Sequence, residues 1–118
     1  MSLSHAGVET LSATEFQDEL RRIARFDGPS AIEHPLLVAV AQIERNPAFT
    51  QSRLLTRILS ALATGHGEFR RAELATLDTA TRKIVIALMD AARAGTATPA
   101  QWGKAVDTAH AAEVAAGR

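Results

Sequence analysis

Between Asp78 and Gly95 the chain reads DTATRKIVIALMDAARAG, and this stretch limits the possible folds more than any other. Asp78-Thr79 is a helix start signal and Gly95 a stop signal. Ile84, Val85, Ile86, Leu88 and Met89 lie between them, without the alternation that a half-buried strand requires. At about 100° per residue, Thr81, Ile84, Val85, Leu88, Met89 and Ala92 share one arc, and Ala80, Ala87, Ala91 and Ala94 widen it. Only a narrow strip of Arg82, Lys83, Asp90 and Arg93 is left for solvent, with Asp90 and Arg93 spaced for a pair three residues apart. A helix with so little polar surface belongs at the centre, with other helices around it. Ile86 interrupts the strip, four residues from both Arg82 and Asp90. A lone exposed isoleucine is ordinary. The sharper expectation is a contact with a second chain, in which Arg82 of one copy meets Asp90 of the other across paired Ile86 side chains.

The rest of the chain supplies the surrounding helices. Ser12-Ala-Thr-Glu15 matches a capping box and opens a helix to about residue 26. Glu15, Asp18 and Glu19 come early in it and Arg21, Arg22 and Arg25 late, the order the helix dipole favours. Pro35 is placed at the first position of a helix to Arg45, where only Gln42, Glu44 and Arg45 are polar. Such a helix is expected to be buried on two sides. Thr50 or Ser52 caps a third helix with Leu54, Leu55, Ile58, Leu59 and Leu62 on one face and Ser52, Arg53, Thr56, Arg57 and Ser60 on the other. Gly65 and Gly67 mark a turn with positive φ. A short helix over 70–77 leads into the central one, and Thr98-Pro99 starts a last, alanine-rich helix anchored by Trp102. The fold class expected is all-α: a single-domain bundle of about five main helices plus a short connecting helix. The domain spans 12–118, and 1–11 forms a flexible tail.

A chain of 118 residues is one domain by length and buries roughly two thirds of its unfolded surface, enough for a core without staples. Aromatics make up only 4%, so that core is aliphatic and rich in alanine. Cysteine is absent, which removes disulfides and thiolate chemistry and fits a reducing, cytoplasmic setting. The first twelve residues lack a basic start and an apolar run, so no secretory signal is expected. The longest apolar stretch, near 36–43, falls short of the ~20 residues of a membrane span.

Formal net charge is zero, yet charge is uneven. Residues 1–50 hold seven acids against four bases, and residues 51–83 hold three acids (Glu68, Glu73, Asp78) against six bases. Either the two segments pack beside each other, or Arg53, Arg57, Arg70, Arg71, Arg82 and Lys83 form a basic face. A basic face could contact phosphate or another anion, with the glycine-flanked start at Arg70-Arg71 as one site. The order of helices also resembles the generic shape of a helix-turn-helix, in which Thr79, Thr81, Arg82 and Lys83 would face bases. The remainder of that helix is too apolar for a reader.

Catalytic groups are sparse. His5, His34, His66 and His110 lack helical metal spacing, and Asp107, His110 and Glu113 diverge around their helix. His110 is expected to be partly buried near Val106. His66 with Glu68 is the only conceivable proton-transfer pair. No cofactor and no metal are expected, and an enzymatic role is not favoured. The functional expectation is a small helical protein–protein interaction module: a homodimer or an accessory subunit of a larger complex, with Arg82, Ile86 and Asp90 at the contact. A DNA-binding regulator using the basic 53–83 segment is the alternative.

Overall fold

The computed structural model describes residues 10–28 and 31–117, which form six helices and one two-stranded sheet. The order is β1 (Thr10–Ser12), α1 (Ala13–Ala24), α2 (Pro35–Arg45), α3 (Thr50–Thr64), β2 (Glu68–Arg70), α4 (Arg71–Leu74), α5 (Thr79–Ala94) and α6 (Pro99–Ala116). Among the described residues this is a mostly helical architecture. Helix α5 packs against α1, α2 and α3, and α6 lies across α2 and α3. Thr81, Ile84, Val85, Ala87, Leu88 and Met89 are the buried face of α5, along the arc its apolar spacing predicts, while α2 and α3 also each pack against three helices.

The helix ends follow from their caps. The Ser12 hydroxyl accepts from the Glu15 amide at 3.1 Å while the Ser12 amide donates to the Glu15 carboxylate at 2.9 Å. Thr98 and Gln101 exchange the same pair at the start of α6. Asp78 accepts from the Thr81 amide at 2.8 Å. Gly65 at φ 80° and Gly95 at φ 66° close α3 and α5 in the left-handed region. Trp102, 7% exposed, fastens α6 to the core.

Several expectations change. Thr10 and Leu11 are not tail: they pair antiparallel with Arg70 and Phe69. Leu11 and Phe69 are both buried, and the Phe69 ring stacks on Phe16 of α1 with centroids 4.2 Å apart. The rest of the expected tail, residues 1–9, lies outside the described residues. Because 68–70 are strand, the connecting helix shrinks to one turn, Arg71–Leu74. Ser52 and Thr56 are buried rather than on a solvent face. Thr56 meets the cost of burial by donating its hydroxyl to the Ser52 carbonyl at 3.0 Å. Gly67 is required for space, not for positive φ: a Cβ there would stand 2.9 Å from the Ala61 Cβ. His110 is exposed on α6.

Candidate interaction surfaces

Two flanks of α5 carry the residues in question. On the α1 flank, Arg82 donates through Nε and Nη2 to both carboxylate oxygens of Asp27, at 2.7 and 2.8 Å. The same guanidinium reaches the Leu77 carbonyl at 2.8 Å and the Thr79 hydroxyl at 3.0 Å. Such a two-pronged pair on largely covered side chains is the strong form of an ion pair. It holds the Asp27 carboxyl below its ordinary range and raises Arg82. Asp90 accepts from Arg21 of α1 at 2.9 Å and not from Arg93. Ile86 lies half-buried between them, packed against the core and bordered by Arg21, Ala24 and Arg25. Arg82, Ile86 and Asp90 therefore share one side of α5, but both charges are engaged within the chain.

The basic segment is spent in the same way. Arg57 forms an ion pair with Glu73, donates to the Glu68 carbonyl at 2.8 Å and lies over the Phe69 ring at 5.0 Å. Burial pushes the Glu73 carboxyl up, but hydrogen bonds from Arg57 and the Arg70 amide outweigh it and hold the group below its ordinary value. Arg71 pairs with Glu19 of α1 at 3.2 Å. Arg71–Glu19 and Arg82–Asp27 join the basic middle of the chain to its acidic first part. Arg53 and Arg70 are exposed, and Lys83 belongs to the α1–α5 cleft rather than to the arginines around Glu73. Of the four residues placed at the base-reading end of α5, Thr81 is buried and accepts from Gln42 at 3.3 Å, and Arg82 is clamped.

The α2 flank is different. Only Ala39 and Ile43 of α2 are buried, so the expected two-sided burial is not found. Leu37 is 70% exposed, Val38 is 37% exposed, and Ala41 faces solvent beside them. Next to this ridge runs an open groove of about 590 Å³ between α2 and α6. Leu36, Val40, Ala97 and Ala105 give it apolar walls, and Glu33, His34 and Lys104 stand at its rim. The signal for it was present in the run from Pro35 to Ile43, where a single polar residue interrupts the apolar ones.

Among the described residues, no three His, Asp or Glu side chains come together to hold a metal ion, and no helix is long and apolar enough to cross a membrane. His66 and Glu68 are exposed, and the His66 amide is held by the Thr64 hydroxyl at 3.2 Å. Set against protein-family models, curated proteins and solved structures, the chain gives no significant match.

Proposed function

We propose that this protein is a helical interaction module that works by docking to protein through the outer face of α2. The observation that carries the reading is the exposure of Leu37, Val38 and Ala41 on a helix whose exposed polar residues, Glu44 and Arg45, lie only in its last turn. Large apolar side chains scattered singly are ordinary, but a ridge beside an apolar groove is the usual form of a docking site. The contact expected at Arg82, Ile86 and Asp90 has less support, because Asp27 and Arg21 already occupy those charges. The DNA-binding alternative is weakened likewise, since Arg57, Arg71 and Arg82 are each neutralised by a carboxylate of the same chain.

The test is the native mass of the protein purified gently from its own cells, compared with Leu37→Asp. The side chain is mostly in solvent, so the variant stays folded, with stability changed by no more than about 0.5 kcal/mol. The expected result is a wild-type mass above the 12.6 kDa of one chain, and loss of the excess in Leu37→Asp. A mass of one chain, or an excess that Leu37→Asp leaves in place, overturns the α2 face as the docking site.

A further inference from the structure

Resting on that reading, we infer that the partner of the α2 face is a second copy of this chain, docked antiparallel with Leu37 of each copy seated in the other's α2–α6 groove. The face carries a projection and a recess side by side. Leu37 stands out from α2 at the edge of the groove and forms part of its lining, with Leu36, Val40 and Ala105 further in. A two-fold axis presents the same patch twice, so a knob beside a hole on one surface is completed by a copy of itself. A buried aliphatic anchor in a pocket is also the arrangement that concentrates binding energy.

The charges select the orientation. At about 100° per residue, Leu37, Val38, Ala41 and Arg45 fall on one arc directed away from the buried Ala39 and Ile43. Ala41 lies in the middle of that arc and lets two helices approach closely. Glu33 precedes the first turn and Arg45 ends the last one. Neither has an ion-pair partner among the described residues. An axis passing between Leu37 and Ala41 sets each Glu33 near the partner's Arg45, and each Glu44 near the partner's His34. A parallel pairing would bring Glu33 to Glu33 and Arg45 to Arg45, which repel. Helix α2 is only about 16 Å long, so the contact is small and the dimer dissociates in the micromolar range.

The absence of cysteine makes the geometry directly testable. Ala41→Cys places one thiol beside the axis, and Ala63→Cys, exposed on α3, is the control. Under mild oxidation Ala41→Cys forms a covalent dimer and Ala63→Cys does not. Sedimentation of the purified chain from about 5 to 500 µM spans the expected dissociation range. There, Arg45→Glu and Glu33→Arg each weaken association several-fold, and the two together restore it. Sedimentation as a monomer throughout, with no Ala41→Cys dimer, overturns the second copy as partner. If the protein from its own cells then still shows a Leu37-dependent excess mass, the docking face stands with a different occupant; if it does not, both fail. Self-association without Ala41→Cys crosslinking, or without rescue by the paired reversal, overturns the antiparallel seating alone.

Discussion

Helix α5 has α1 along one flank and α2 along the other, and the two flanks close in opposite ways. Against α1 the contact is sealed by charge at both ends, Arg21 to Asp90 and Asp27 to Arg82, over the buried Phe16, Leu20 and Ala24. Against α2 a side-chain hydrogen bond runs from Gln42 to Thr81, and the helix leaves Leu37 and Val38 outside. The difference lies in the two sequences. Helix α1 keeps its apolar residues mostly to one stripe, so burying that stripe satisfies it. Ile23 and Phe26 near its end are exceptions, and the Arg25 guanidinium lies over the Phe26 ring at 4.9 Å. Helix α2 is apolar around most of its circumference, and one layer of neighbours covers only part of that. A helix is finished within a chain when its polar residues match the face left over.

The largest expected effect tests whether the α2 flank depends on α6. Trp102→Ala removes a buried indole and should cost about 3–5 kcal/mol by denaturant unfolding. Loss of less than about 1 kcal/mol, or tryptophan emission like that of free indole in the native protein, would mean that α6 does not complete the groove. Ile86→Lys comes next and separates the flanks. Full burial of an isoleucine is worth ~1.5–3 kcal/mol, and Ile86 is half-buried under α1, so the variant should lose about 1–2 kcal/mol with its native mass unchanged. Dissociation of a dimer at undiminished thermal stability would instead move the partner contact to the α1 flank.

The smallest effect is confined to acid. Asp27 titrates lower in the folded chain than in the unfolded one, because Arg82 holds the carboxylate. Its contribution is therefore present at neutral pH and is lost as pH falls below the unfolded carboxyl value of about 4 and through the folded one. Asp27→Asn should be less stable than wild type at pH 7, and the two should converge in acid, as followed by thermal melts across pH. Glu73 is lowered as well and keeps part of the acid dependence in the variant. Parallel curves for the two proteins at all pH values would show that the Arg82 clamp does not hold the α1 flank.

The helices were largely legible because their ends are written in short-range chemistry. Pro35 opens α2, Asp78 and Gly95 bracket α5, and Thr98-Pro99 starts α6, each at a place where local backbone groups need a partner or a special φ. The clasp of β1 with β2 was not legible. Three residues are too few for alternation to register, and Thr10–Ser12 gains its partner only from Glu68–Arg70. Buried Ser52 and Thr56 look like a solvent face in sequence, because the hydroxyl of Thr56 is satisfied by its own helix. Counting charges showed that acids and bases separate along the chain, but not that Asp27 would take Arg82 or Glu19 take Arg71. The open face of α2 had the opposite problem. An all-round apolar helix reads as buried, and periodicity carries no information on how many neighbours exist to bury it.

The clasp also sets how this chain reaches its fold. Turns of helix form from neighbouring residues within about a microsecond. Pairing Leu11 with Phe69 must instead close the loop from Ser12 to Glu68, at an entropic cost on the order of 3–4 kcal/mol before any contact returns it. The stack of Phe16 on Phe69 is made by the same closure, so α1 docks when the strands meet. Refolding after rapid dilution from denaturant is thus governed by a search across about half the chain, slower than helix propensity alone would set.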